Sequence, residues 1–184
     1  MITRQILFIQ GGGEGAYEED RLLAESLRDK LGAACDVRYP RMPEEEGSTY
    51  EEWKERLTKE FAALDREVIL VAHSVGGSLL FKYLTEEEMK ASILGLFLVA
   101  APYFGAKNWE FDDFALPNGF ASKLPKNLPV FFYHSRDDQW VSFKHLSLYA
   151  KKLPQASIRE FNDRGHQFNN DLSEVARDIK GLMD

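Results

Sequence analysis

The chain is poor in cysteine, in positive charge and in long apolar runs, and each shortage removes a class of protein. Cys35 is the single cysteine, so no internal disulfide can form and a disulfide-stapled secreted scaffold is excluded. There is no paired-cysteine or H-x-x-x-H spacing and the four histidines are scattered, so neither a metal nor another cofactor is expected. No stretch approaches the roughly 20 apolar residues that cross a bilayer. The 23 Lys and Arg residues are outnumbered by 30 Asp and Glu, a formal net charge of −7. That balance repels phosphate backbones and anionic lipid, so nucleic acid and membrane are not expected partners. The acidic runs at 44–46 and 86–88 are too short to be interaction tails and read as solvated loop or helix end. The opening Met1-Ile2-Thr3-Arg4 runs into a short apolar segment with no long h-region or cleavage site, which gives the expectation of a soluble cytoplasmic protein.

What is present is alternation. Short runs at residues 5–9, 35–39, 68–72, 94–100, 130–134 and 157–161 are rich in Ile, Val, Leu and Phe, and several are apolar throughout, as strands buried on both faces are. Amphipathic stretches separate them. Thr49-Tyr50-Glu51-Glu52 is a capping box, and Trp53, Leu57, Phe61 and Leu64 then recur along one helical face. Leu23, Leu27 and Leu31 stack before Gly32, a helix stop. Residues 143–152 form a further helix that ends before Pro154. Asp171-Leu172-Ser173-Glu174 opens a last one, with Val175, Ile179 and Leu182 on one face. The expected fold class is α/β: a three-layer α/β/α sandwich with a mostly parallel six-stranded sheet, one domain over residues 1–184 without a separate cap. Ligands in such folds bind beyond the carboxyl ends of the strands.

Those ends carry the polar residues. After the third strand, Ala72-His73-Ser74-Val75-Gly76 follows the nucleophile-elbow pattern G-x-S-x-G, with Ala in the first glycine position. The bland alternative for Ser74 is a helix N-cap. After the last strand, Gly165-His166-Gln167 places a histidine on a loop at the same edge. His134 ends a strand, His145 falls inside a helix expected on the surface, and His73, beside the serine, should point away from the reacting centre. After the fifth strand, Asp138-Gln139-Trp140-Val141-Ser142 is similar to the D-x-x-V-P stretch around a triad acid, which favours Asp138 over Asp137. Serine, acid and base types thus arrive in chain order at one edge, as nucleophilic acyl transfer requires. The anion that develops on the attacked carbonyl needs backbone N–H donors. Val75, just after the serine, offers one, and Gly12 in the run Gly11-Gly12-Gly13 offers the other, with Gly13 as the alternative.

These features together resemble small single-domain α/β-hydrolases of the retinoblastoma-binding-protein-9 and YdeN type. The resemblance rests on the first strand leading into Gln10-Gly11-Gly12, the elbow Ala72-His73-Ser74-Val75-Gly76-Gly77, the turn Ser135-Arg136-Asp137-Asp138, and Gly165-His166. It implies the triad Ser74, Asp138 and His166, a sheet without the first two strands of the full fold, and hydrolysis of esters or related small-molecule acyl substrates. Gln10 departs from the His-Gly common in that group. The non-periodic segment at 101–128 holds Tyr103, Phe104 and Trp109. These residues are candidate walls of an apolar substrate pocket, and core packing beneath a loop would use the same aromatics.

Two rival readings are weaker. Gly11-Gly12-Gly13-Glu14-Gly15-Ala16 satisfies a dinucleotide fingerprint, but that motif also wants an acid at the end of the second strand, and Asp36 lies at its start. A hydrolase fold retained as a protein-interaction module would leave three triad residue types in place without a task. The sequence is silent on oligomeric state.

Overall fold

An apolar run that carries no polar face must be covered on both sides, and the computed structural model, which describes residues 3–64 and 67–183, covers all of its central strands that way. Met1 and Ile2, part of the stretch read for a leader, lie outside the described residues. Strands β1 (Arg4–Ile9), β2 (Cys35–Arg38), β3 (Val68–His73), β4 (Ile93–Val99), β5 (Val130–Ser135) and β6 (Ser157–Phe161) form one sheet in the order β2-β1-β3-β4-β5-β6. All five pairings are parallel, so the sheet is parallel throughout rather than mostly so.

Side chains alternate across the sheet, and each set meets helices. Leu7, Ile9, Leu70, Ala72, Leu98 and Phe132 share a core with α2 (Tyr50–Ala62), α3 (Ser74–Glu86) and α4 (Lys144–Lys152). Ile6, Phe8, Val71, Phe97, Val99 and Tyr133 share the other with α1 (Ala16–Leu31) and α5 (Ser173–Met183). This is the expected three-layer sandwich. The capping box closes α2: Thr49 Oγ1 accepts the Glu52 N–H at 3.3 Å, and the Glu52 carboxylate accepts the Thr49 N–H at 2.7 Å. α1 buries Leu23, Leu27 and Leu31 and stops at Gly32.

The helix after β1 leaves on one face and the helix after β3 leaves on the other. Because β1 and β3 are neighbours, their following loops diverge and open a crevice at the carboxyl edge. Residues 101–129 cross the α3 side of that edge with two single-turn helices, Asp112–Phe114 and Phe120–Lys123.

One helical histidine is misplaced by the periodicity argument. His145 was expected on the surface of its helix. It is 4% exposed, because its Nδ1 accepts the Tyr103 N–H at 2.7 Å and so ties α4 to the 101–129 segment.

Candidate active site

Ser74 occupies the turn from β3 into α3 with φ of 50°, a left-handed conformation that a serine adopts only at a cost. The turn is enforced by packing. A Cβ on Gly76 would fall 1.8 Å from the backbone oxygen of Gln10, so β1 and the first turn of α3 touch backbone to backbone. Ala72, in the first glycine position of the elbow, is fully buried and fits without displacement. The N-cap position of α3 belongs to His73, so Ser74 is not the cap.

His166 Nε2 lies 3.0 Å from Ser74 Oγ, and His166 Nδ1 lies 2.8 Å from Asp138 Oδ2. With the carboxylate accepting from Nδ1–H, Nε2 is left as the acceptor of the serine hydroxyl proton. Asp138 is itself fixed: its Oδ1 accepts the N–H groups of Trp140 and Val141, both at 2.8 Å, and His134 Nε2 stands 3.3 Å from Oδ2. Burial alone would raise the Asp138 pKa, but the His134 and His166 contacts and the Val141 N–H outweigh it and hold the carboxyl well below the usual range. Burial pushes His166 below the ordinary histidine value, against the opposing Asp138 hydrogen bond and with help from the charge of His73. A base that is neutral near pH 7 is the state in which it can take a proton. Asp137 does other work: its Oδ1 accepts the Gly165 N–H at 2.9 Å and so braces the loop that carries His166.

The two candidate oxyanion donors are brought together by the same contact between loops. A Cβ on Gly12 would lie 3.0 Å from Val75 Cγ1, so glycine lets the β1–α1 loop approach this closely without displacing the valine. Val75 is in the first turn of α3, where N–H groups have no acceptor within the helix. Gly13, the alternative, has φ of 99° and an open surrounding. Gln10, which stands where the resembling proteins have histidine, is fully buried. Its side-chain oxygen accepts the Met42 N–H at 2.9 Å and pins this loop to the segment after β2.

Two cavities flank the serine. One of about 610 Å³ is walled by Trp53, Val75, Phe104, Trp109, Phe111 and Phe114, reaches Gly12 and Gly13, and carries Glu45, Glu46, Asp112 and Asp113 on its rim. The other, of about 390 Å³, contains Ser74 and His166 and is bounded by Trp109, Trp140, Glu14, Glu19 and Gln167. Of the three residues expected as pocket walls, Phe104 and Trp109 stand in the larger cavity. Tyr103 does not: the residue is half-buried, and its ring packs against the core, 5.0 Å from Tyr149 and 6.4 Å from Phe120. Phe111 and Phe114, from the same aromatic-rich segment, complete the wall of the larger cavity.

Asp20 is the residue that sequence reasoning missed. It is 2% exposed, and it accepts the Gly11 N–H at 2.7 Å and the Gln167 Nε2–H at 2.6 Å while meeting His73 Nδ1 at 2.9 Å. A carboxylate inside an amphipathic helix looks like a solvated one until its partners, 53 and 147 residues away, are in view. Among the described residues no cluster of His, Cys, Asp and Glu has the arrangement of a metal site, and no helix is long and apolar enough to cross a membrane.

Comparison with known proteins bears on this geometry. A family model described as serine hydrolase matches residues 23–172. The YdeN gene product of B. subtilis superposes with a TM-score of 0.79 at 20% identity, over 98% of this chain and 99% of that one. A YdeN-like hydrolase from Pectobacterium atrosepticum superposes with a TM-score of 0.69 at 18% identity, over 97% and 92%. SOBER1 from Arabidopsis thaliana gives 0.72 at 14% identity, over the whole of both chains. No curated protein matches the chain.

Proposed function

Because the chain belongs to the serine hydrolase family, we propose that it hydrolyses carboxylic esters or related small acyl compounds, with Ser74 as nucleophile, His166 as general base and Asp138 as the orienting acid. The observation that carries this reading is the continuous chain of contacts Ser74–His166–Asp138 at 3.0 and 2.8 Å, ending on a strained serine. In the first half of the reaction Ser74 Oγ attacks the acyl carbonyl carbon and its proton passes to His166 Nε2. The carbonyl oxygen becomes an anion held by the N–H groups of Val75 and Gly12, then re-forms the double bond as the leaving group departs with the proton from His166. Water repeats the sequence on the acyl-enzyme and releases the acid. These steps call for no metal or cofactor.

The larger, apolar cavity lies against the two oxyanion donors and suits the acyl portion, with Phe104 and Trp109 among its walls. The smaller and more polar cavity suits the leaving group. The test is a fluorophosphonate label located by peptide mass spectrometry, run beside hydrolysis of p-nitrophenyl esters. The expected outcome is an adduct on Ser74 that vanishes in Ser74→Ala and His166→Ala, with Ser74→Ala lowering turnover by roughly 10⁴- to 10⁶-fold. A folded wild-type protein that neither labels nor hydrolyses would instead support the same fold used as a protein-interaction module.

A further inference from the structure

Behind the candidate triad lies a second histidine–carboxylate pair that the reaction above does not use. His73 is 2% exposed and Asp20 is 2% exposed. Both ring nitrogens of His73 meet acceptors: Nδ1 stands 2.9 Å from Asp20 Oδ2, and Nε2 stands 3.0 Å from the backbone oxygen of His166. A carbonyl oxygen can only accept, so Nε2 carries a hydrogen. Asp20 already receives the Gly11 N–H on one carboxyl oxygen and the Gln167 Nε2–H on the other, and a carboxyl with a donor on each oxygen is most stable ionised. The ring therefore holds both protons, as an imidazolium paired with a carboxylate in the protein interior. Although burial opposes the charge, the Asp20 carboxylate and the two hydrogen bonds raise the His73 pKa. The His73 charge and its hydrogen bond in turn help to lower the Asp20 pKa against burial.

The loop that receives this hydrogen bond is under strain. Gly165 has φ of 60°, and Phe168, Asn169 and Asn170 follow with φ of 50°, 51° and 55°, three non-glycine residues in succession in the left-handed region. Such a segment relaxes unless its surroundings over-determine it. Besides the Asp137 brace on Gly165, the anchors nearest His166 are the His73 ring on its own carbonyl and Asp20 on the side chain of the next residue, Gln167. Asp20 also takes the N–H of Gly11 in the β1–α1 loop. One buried carboxylate thus joins the three loops that bear nucleophile, base and candidate oxyanion donor.

We propose that His73, kept as an imidazolium by Asp20, is a positioning residue that locks the His166 loop in register with Ser74 and holds His166 in its neutral form. This rests on the triad reading for its kinetic consequence, but the ion pair itself can be observed without catalysis. The charged and titratable groups that face His166 are Asp138 from the β5–α4 loop, His73 from β3 and Asp20 from α1. Glu14 and Glu19 stand on the rim of the same cavity, and His134 reaches it only through Asp138. The ring centroids of His73 and His166 are 4.8 Å apart, close enough for one cation to oppose a second.

The experiment begins with nitrogen-15 NMR of the histidine rings in the wild-type protein near neutral pH. Expected is a His73 ring protonated on both nitrogens beside a neutral His166; a neutral His73 overturns the proposal. Kinetics follow on Asp20→Asn, His73→Gln and Gln167→Leu, with folding checked by thermal melting. Asp20→Asn should lower kcat roughly 10- to 100-fold with KM little changed, the scale of a misplaced catalytic group. His73→Gln removes the cation and leaves Asp20 charged, so the acid limb of kcat/KM should move to higher pH. Gln167→Leu cuts one anchor at a part-buried position, so it tests the loop even where the buried variants fail to fold, and a modest fall in kcat is expected. Unchanged kcat and an unmoved acid limb in folded variants would overturn the positioning role. Absence of fluorophosphonate labelling in the wild type would remove the triad reading instead, and the NMR result would stand apart from it.

Discussion

At the scale of single residues, the two adjacent acids after β5 have separate tasks, and substitution should part them. Asp138 faces His166 and is shielded from water, while Asp137 holds the Gly165 N–H from the rim. Asp138→Asn can no longer fix the tautomer in which Nε2 accepts, so kcat for ester hydrolysis should fall by roughly 10⁴-fold. Asp137→Ala removes the acceptor of the Gly165 N–H and of the Ser135 hydroxyl, worth about 1 kcal/mol each, but leaves the His166–Asp138 contact in place, so kcat should fall by less than about 30-fold. Equal losses in steady-state assays would refute the division. The preference for Asp138 was legible in the sequence through the stretch that follows it. The role of Asp20 was not. Sequence reasoning places residues by the strand ends they follow, and Asp20 follows none; it reaches the site from inside a helix. Tyr103 shows that an aromatic residue in such a segment can pack against the core as readily as it lines a cavity.

The elements were more legible than the contacts between them. Runs of Val, Ile, Leu and Phe bounded by glycine and polar clusters located all six strands, with differences of a residue or so at their ends, where the sheet pairing rather than the side chains decides. The histidine of α4 was misjudged because helical periodicity reports a helix's own faces and not the loop that crosses it. Two substitutions separate local from tertiary demands on a helix start. Thr49→Ala removes a cap that only α2 uses, so urea unfolding should show a loss of about 1 kcal/mol. Gly76→Ala inserts a methyl group 1.8 Å from the backbone oxygen of Gln10, just past β1, and backbone cannot swing aside as a side chain can. The loss there should be roughly 3 kcal/mol or more, and fluorophosphonate labelling should fall with it. A tolerated Gly76→Ala would mean that the elbow and β1 can separate.

For the molecule as a whole, part of the acidic excess behind the charge of −7 borders the cleft, where Glu14, Glu19, Glu45, Glu46, Asp112 and Asp113 line the two cavities. Acidic walls repel anions at a distance of about 10 Å in dilute salt. A p-nitrophenyl ester with a terminal carboxylate on its acyl chain should therefore show a kcat/KM lower by about tenfold or more than its neutral counterpart. The gap should narrow as ionic strength approaches roughly 1 M, where the screening length falls to about 3 Å. Equal specificity at low salt would show that the rim does not act on the substrate. The net charge was visible in the composition. Which carboxylates line the cleft was not, because they come from segments far apart in the chain.

The larger cavity has a provenance different from that of the candidate reacting groups. Ser74, His166, Asp138 and Gly12 stand where the strand ends fix them, whereas the cavity walls come chiefly, apart from Trp53 of α2, from residues 43–49 and 104–114, two connecting segments that no strand pairing constrains. Substitutions, insertions or exchanges in those two stretches can remodel the proposed acyl site while the candidate nucleophile and its partners keep their register. The fold thus separates the chemistry it performs from the molecules it accepts, and lineages or designers can vary the second without rebuilding the first.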